Sequence, residues 1–588
     1  YTAFYTLSLH DALPIWPLLR WDELVPPAKR AALGTRILRK GHPPRGDQQP
    51  GPDDISIIDS KAAPEDVDRW RARRFGMFIH WGPVSLKGTE IGWSRGGERR
   101  GTGGTGEIPL DVYDNLYKEF NPTRFDAKGW VALAKGAGMK YLVFTTKHHD
   151  GFVEFDSKLT DYKITNSPFH RDIVAELSRA CHEGGLAFGI YYSPPDWHHP
   201  DYRTANHARY IEYLHGQLRE LCTNYGKIDM IFFDGLGGTW KDWDAPRLLR
   251  MIRELQPGIV INDRAGLPAD NGTPEQTIGG FDDRRAWETC MTIGDQWAWK
   301  PNDNVKSLKT CIQNLVLCAG GDGNFLFNVG PMPTGEIEAR QADRLREMGA
   351  WLAKHGESIY GTRGGPFRPG PWGASTRAGS RIFVHVLAWP GERLELPGLT
   401  KRIVANSVIG GGRCEVKQAE DAIAISVPAA DRKDIDTVVV LELDGPAAEA
   451  RTCGATPVSE GKPSRASNVY QNMVDAHGPA KALDGDPSTR WATDAGVHAA
   501  WLEVDLGEPT AVARAFVSEA FDRSRKFAIE YKDASGAWKE AARGTQIGEG
   551  GVTREFAPVA ARVWRLNVAD ATDGPTIWEF QLFAAKKR

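Results

Sequence analysis

The stretch KIDMIFFDGLGG, residues 227–238, places Ile228, Met230, Phe232 and Asp234 on one face of a strand by the two-residue repeat. A carboxylate at the tip of an apolar face can cap the following turn, or it can attack as a nucleophile. Other strand-like runs also end in groups that could do chemistry. His80 closes one, the adjacent pair His148 and His149 closes another, and Tyr191 and Arg264 stand at the ends of two more. Such a set suits the hydroxyl groups of a polyhydroxylated ligand. Zinc is the competing chemistry, but neighbouring histidines on a strand diverge, and their spacing does not suit one ion. Two carboxyl groups facing one cleft would be the equipment of glycoside hydrolysis. Asp234 supplies the first. Glu275, in NGTPEQTIGG, and Glu288, in RRAWETCMTI, are the candidates for the second, although either could serve as a loop salt bridge.

The elements around these residues alternate. Seven strand-like runs begin at residues 75, 140, 187, 227, 259, 286 and 324, with helix-like runs between them, several closed by Gly-Gly or Gly-x-Gly. This is an α/β pattern with a parallel sheet. No glycine-rich phosphate loop follows the first strand, as a doubly wound sheet would favour. The polar residues, Glu288 among them, gather at the C-terminal ends of the strands, where a (β/α)8 barrel builds its site. A (β/α)8-like barrel is therefore expected over 55–361. Short strands split by Gly, Pro and Asp turns predict a small β-sandwich over 362–447 and a second over 455–588.

Bulk properties narrow the function. The chain has 588 residues, which calls for several domains, and a formal charge of −3, which argues against a nucleic-acid partner. No apolar run approaches the ~18 residues of a membrane span. The 20 Trp and 15 Tyr supply aromatic platforms for sugars as well as core. Seven Cys fit neither a zinc pattern nor a disulfide framework, and Cys181, Cys222, Cys311 and Cys318 read as buried thiols on helices. Residues 1–54 are expected to lie outside the fold. YTLSLHDALPI resembles a translated sequencing adapter, and a Pro/Gly-rich linker follows. An export signal, to the periplasm or outside the cell, is expected to have stood at the true start. Oligomeric state is not readable.

The motifs RWRARRFGMFIHWGP, TTKHHDGFVEFDS, YYSPPDWHHPDY, MIFFDG, INDR, TPEQ, WETCMTIGDQW and GDGNFLFNVGPMPTGEI, in this order over about 64–360, resemble the α-L-fucosidases of glycoside hydrolase family 29. The resemblance implies an exo-acting retaining enzyme that removes terminal α-L-fucose from glycans and needs no catalytic cofactor. It implies Asp234 as nucleophile and Glu275 as acid/base, with Glu288 as the alternative. It also implies His80, His148, His149, Tyr191 and Arg264 as sugar-binding groups, with Glu90 and Trp93 as displaced equivalents of further pocket residues and Trp297, in QWAW, as keeping the role of the family's tryptophan there. A catalytically inactive fucose-binding lectin, or a glycosidase for a related sugar such as an α-L-galactoside, stays open. KALDGDPSTRWAT (481–493) and the late WEFQLF resemble the F5/8 type C domains that overlap carbohydrate-binding module family 32. That resemblance implies a structural calcium held around Lys481, Asp484, Asp486, Thr489 and Glu579.

Overall fold

The computed structural model describes residues 61–585 apart from 237, 454–456, 486–488 and 549–550. The adapter-like segment, the linker and Asp486 lie outside the described residues. After a short helix α1 (Pro64–Arg71), eight parallel strands form one sheet: β1 (Phe75–Ile79), β2 (Tyr141–Lys147), β3 (Ala187–Tyr192), β4 (Met230–Phe233), β5 (Val260–Ile261), β6 (Asn271–Gly272), β7 (Ala286–Thr292) and β8 (Asn324–Val329). Their order is β5-β4-β3-β2-β1-β8-β7-β6, and a parallel bridge from Asn262 to Asn271 joins the two ends. The sheet is therefore a barrel closed by its thinnest contact. Beyond β5, the Asn262 side chain continues the pairing, accepting from Phe233 N–H and donating to Phe233 C=O, both at 2.9 Å.

Strands β1, β2 and β4 are buried along their whole length and largely apolar, as strands covered on both sides must be. Alternation sorts them. Phe75, Met77, Ile79, Ile231 and Phe233 pack outward against the helices. Phe78, Tyr141, Val143, Tyr191, Met230 and Phe232 fill the barrel. Helices α2 (Ala127–Gly136), α3 (Ile173–Gly184), α4 (His207–Asn224), α5 (Ala245–Leu255), α6 (Leu308–Gly320) and α7 (Ala339–His355) cover the outside. Asp172 caps α3 by accepting from Ala175 N–H, and Ser307 caps α6 by accepting from Thr310 N–H. Cys181, Cys222, Cys311 and Cys318 are buried free thiols on α3, α4 and α6.

The sequence reading has seven barrel strands. The missing one is β6, two residues long and carrying no apolar run to betray it. The INDR stretch also departs from expectation, because β5 stops at Ile261 and Asp263–Ala265 is a 3-10 turn.

A sandwich follows the barrel. Its strands are β9 (Arg363–Gly364), β10 (Gly373–Ala378), β11 (Arg381–Val386), β12 (Arg393–Leu399), β13 (Ile403–Val408), β14 (Glu415–Gln418), β15 (Ala422–Ser426), β16 (Thr437–Leu443) and β17 (Thr452–Cys453), in sheets ordered β13-β16-β11-β10-β9 and β14-β15-β12-β17. The β17 pairing with β12 carries this sheet past residue 447. Asp322, after α6, receives Arg71 and Arg74 from the barrel at 2.5 Å each and Arg363 of β9 at 2.7 Å, which ties the two units together. The C-terminal sandwich runs from β18 (Ser464–Ala466) to β24 (Thr576–Ala584). Its two long strands, β20 (Ala500–Glu519) and β23 (Val552–Ala571), pair through register shifts around a core containing Trp491 and Trp564.

Candidate active site

Asp234 follows β4 directly. Met230 and Phe232 point into the barrel, so the same alternation sets Asp234 at its C-terminal mouth. Tyr191, at the corresponding end of β3, donates from its hydroxyl to Asp234 Oδ2 at 2.9 Å. His149 Nε2 lies 3.4 Å from the same oxygen, and Arg264 Nη1 lies 3.3 Å from Oδ1. Burial alone would push the Asp234 carboxyl up. The His149 hydrogen bond, the electrostatics of His149 and the charge of Arg264 outweigh it, holding the group far below the ordinary carboxylate range.

Arg264 is itself oriented by Thr273. Its Nε donates to Thr273 Oγ1 at 2.7 Å and its Nη2 to Thr273 C=O at 2.9 Å. The guanidinium rests on Phe232, 5.2 Å from the ring centre. Its Nη1 also meets Glu275 Oε2 at 2.8 Å. One nitrogen thus serves both carboxyls at 2.8 and 3.3 Å, so the two contacting oxygens are at most about 6 Å apart, a range that includes the ~5–5.5 Å separation of retaining glycosidases.

Glu288 is not brought to this site. It sits in β7 opposite Asn324, the first residue of β8, and accepts from the hydroxyl of Tyr141, the first residue of β2. It therefore belongs to the N-terminal floor of the barrel, and its placement among strand-end groups in the sequence reading is corrected. The Tyr141 ring fits there because Gly76 leaves room, since a Cβ at Gly76 would come within 2.3 Å of it. Burial pushes the Glu288 carboxyl up to about 8, with the Tyr141 hydrogen bond opposing it.

The histidines form one wall. β2 ends at Lys147, so His148 and His149 lie in a turn and do not diverge as strand neighbours would; their ring centres are 4.1 Å apart. His148 stacks on Tyr191 at an interplanar angle of 7°. His149 Nδ1 is 2.6 Å from Ser193 Oγ, and its ring packs against Trp93 and Trp197. His80 Nδ1 is 2.7 Å from Asn328 Oδ1, which follows from the β1–β8 pairing. Burial takes His80 down to about 3 and, with the neighbouring His149 and His80, holds His148 well below its ordinary value. Both present neutral rings, able to donate and accept toward hydroxyl groups.

Ligand atoms of His148, His149 and Asp234 all lie within 4.8 Å of one another, so the pair can face one ion after all. Arg264, however, already holds a positive charge 3.3 Å from Asp234, which repels a cation from that carboxylate.

Glu90 and Trp297 form a second wall. Glu90 accepts from the N–H groups of Trp297 at 2.8 Å and of Ala298 and Ile91 at 3.0 Å. It therefore holds the loop that carries Trp297. Burial pushes its carboxyl up to about 7 against these three donors. Trp297 lies 4.8 Å from His80, ring to ring, and its carbonyl accepts from Asn328 Nδ2 at 2.7 Å. Asn328, Ser193, Thr273 and Trp197 complete the site and were not singled out as site residues from sequence. Asn328 and Trp197 end strand-like runs, which is a usable signal, but Ser193 and Thr273 carry none.

In the C-terminal sandwich, Glu579 is buried with Oε1 lacking a partner among the described residues, and burial, then Asp484 and Glu460, push it up to about 8. Thr489 Oγ1 lies 2.8 Å from Asp484 Oδ2, and Lys481 Nζ lies 3.7 Å from it. The oxygens of Asp484 and Thr489 and the Glu579 carboxyl are of the kind a hard cation such as calcium takes, with the Lys481 ammonium competing for the Asp484 carboxylate.

A closed parallel barrel with ionisable side chains gathered at its C-terminal mouth defines a barrel enzyme, here of the glycoside hydrolase class. An α-L-fucosidase family profile matches residues 55–357, and a NedA-like, galactose-binding domain profile matches 481–566. The chain belongs to the α-L-fucosidase family. It is 29% identical over 374 residues to human plasma α-L-fucosidase, covering 57% of this chain and 78% of that protein. α-L-Fucosidase isoenzyme 1 of Paenibacillus thiaminolyticus superposes with a TM-score of 0.59 at 36% identity, covering 65% of this chain and 99% of that one. A family 29 α-L-fucosidase of Bacteroides thetaiotaomicron, trapped as a covalent intermediate with 2-fluoro-fucosyl fluoride, gives 0.58 at 27% identity, covering 66% and 97%.

Proposed function

We propose that this protein is an exo-acting, retaining α-L-fucosidase that works by double displacement, with Asp234 as nucleophile and Glu275 as acid/base. The observation that carries this reading is the shared guanidinium nitrogen of Arg264, which keeps one oxygen of each carboxyl within about 6 Å of the other, a range that includes the separation of a retaining pair. In the first step an Asp234 oxygen bonds the anomeric carbon as its bond to the leaving oxygen breaks, and Glu275 delivers a proton to that oxygen. In the second step Glu275 takes a proton from water, the water oxygen bonds the anomeric carbon, and Asp234 departs as carboxylate. Two inversions give net retention. An Asp234 held ionised is ready to attack, and Arg264 and Tyr191 take up its charge when it leaves. His80, His148, His149 and Trp297 bind the sugar, Trp93 borders it through His149, and Glu90 acts on it through Trp297.

The C-terminal module binds glycans and keeps the enzyme on its substrate. Asp484, Thr489 and Glu579, with Asp486, would hold its calcium, which supplies cross-linking of the loop and no chemistry. A panel of 4-nitrophenyl glycosides with NMR of the first-formed anomer tests the catalytic reading. Release of α-L-fucose from the α-L-fucoside is expected. β-L-Fucose as first product, preference for an α-L-galactoside, or binding of fucose without turnover would each overturn it.

A further inference from the structure

Arg490 lies in the C-terminal sandwich, just before β19 (Trp491–Ala492), and among the described residues no carboxylate balances it. Its guanidinium carbon is 5.1 Å from the Trp578 ring centre and 5.7 Å from that of Phe521. Its Nε is buried and has no acceptor among the described residues. Burial lowers its pKa and Arg523 lowers it further, with no acid acting the other way. The contrast is Arg523 itself, which donates to Gly574 C=O at 2.9 Å, meets Asp573 at 3.4 Å and lies over Phe521 at 4.5 Å. Beside Arg490 is His477, whose Nδ1 is buried without a partner among the described residues. Burial, and then the charge of Arg490, keep that imidazole below its ordinary value. Phe521 is 42% exposed, and Trp578 is half-buried.

A half-buried guanidinium with no counter-charge is costly, and so is a buried imidazole nitrogen with nothing to bond. Both costs fall when an anion arrives. The planar fork of arginine matches the oxygens of a carboxylate or a sulfate, and aromatic faces beside it offer the flat apolar surface on which a sugar ring rests.

We propose that Arg490, His477, Phe521 and Trp578 form a binding site for an anionic saccharide, a sugar bearing a carboxylate or a sulfate ester. The guanidinium takes the anion, and the rings take the sugar face. This rests on the reading of the module as carbohydrate-binding and is independent of the catalytic assignment. An anionic membrane is the other class that could meet such a surface, since Met473 and Val474 in the adjacent turn are 36% and 60% exposed. The rim also carries Asp522 and Asp573, which an anionic bilayer repels, and the one unbalanced guanidinium suits a single anion.

Calorimetric titration of the full chain decides the matter. The probes are trigalacturonate for the carboxylate, galactose 6-sulfate for the sulfate ester, and galactose as the neutral control. At least one anionic probe should bind about tenfold tighter than galactose or better. That preference should shrink between about 50 and about 500 mM salt. Arg490→Met, which keeps the apolar stem, should erase it while leaving hydrolysis of a soluble fucoside unchanged. Equal binding of neutral and anionic sugars, no binding of any, or a preference that survives Arg490→Met would overturn the proposal. Binding to phosphatidylserine vesicles that the sugars fail to compete would overturn it in favour of a membrane. If Arg490→Met does not fold, carboxyl-reduced trigalacturonate against wild type gives the answer, because equal affinity for the two forms refutes the site.

Discussion

Asp234 and Glu288 are both carboxyls enclosed by the same barrel, and they are driven in opposite directions. At the mouth, Asp234 meets Tyr191, His149 and Arg264, and it stays ionised despite burial. At the floor, Glu288 meets the Tyr141 hydroxyl and no cation, and burial carries it up to about 8. Burial is common to both, so the partners decide the outcome. A protonated acid among apolar strands is tolerated as a piece of core. An ionised one has to be paid for with positive charge, which is the arrangement a nucleophile needs.

The largest effect should come from the mouth. Asp234→Gly should lower fucoside turnover by about three orders of magnitude or more, while Glu288→Gln should stay within about twofold of wild type. Azide should partly restore the Asp234 variant and give the β-fucosyl azide by direct displacement. Comparable losses in the two variants, measured as kcat/KM, would collapse the distinction between mouth and floor.

Glu275→Ala sharpens the same comparison within the mouth. Fucosides with poor leaving groups should lose about 10²–10⁴ in rate, whereas a dinitrophenyl fucoside should lose little, because its leaving group needs no proton. Azide should now enter through the covalent intermediate and yield the α-azide. The α-azide and the leaving-group signature from a Glu288 variant would transfer the role to the floor residue.

A third test reads protonation through stability. The folded-state pKa of Glu288, about 8, lies above its ordinary value of 4.5, so the folded protein binds the extra proton. That contribution is complete below about pH 4.5 and is lost as pH rises through about 8. Glu288→Gln cannot lose it. The melting temperature of wild type should therefore fall relative to that variant between pH 5 and pH 8, with the difference levelling off above. A constant difference would place the charged form in the fold.

The smallest effect concerns the C-terminal module. EDTA should lower the melting transition of that module by a few degrees, because an ion bound only to the folded state stabilises it by mass action. Initial rates on a soluble fucoside should not change. A fall in rate with chelation would implicate a metal at His148, His149 and Asp234 instead.

Much of the barrel was legible from strands that are apolar and end in polar residues. Asp234 could be placed at the mouth because Met230 and Phe232 set its parity. The same reasoning misled for Glu288, since a strand of seven residues has two ends and the motif does not say which end the glutamate occupies. Pairing with Asn324 settles it, and pairing is a property of the sheet, not of the segment. The histidine pair was misread for a related reason. Divergence presumes a strand, and β2 has already ended at Lys147. Glu90 carried no local signal for its task, because its three partners are backbone groups, two of them some two hundred residues away.

The closure of the barrel at Asn262 and Asn271 bears on how this catalytic wall can vary. Between β5 and β6 the backbone pairing is short, with Asp270 adding a bond from its N–H to Ile261 C=O at 2.9 Å and accepting from Ile261 N–H at 2.7 Å, and Arg264, Thr273 and Glu275 all stand on or beside the segment the bridge spans. Strands held by full ladders cannot change length without dislocating their neighbours, whereas this stretch can gain or lose residues and leave the rest of the sheet in register. Asp234 rides on a strand paired along its length, and Glu275 on the part of the barrel held by the shorter pairing. Insertions that reshape recognition of the leaving group have their point of entry here, with Asp234 undisturbed on the opposite side of the seam.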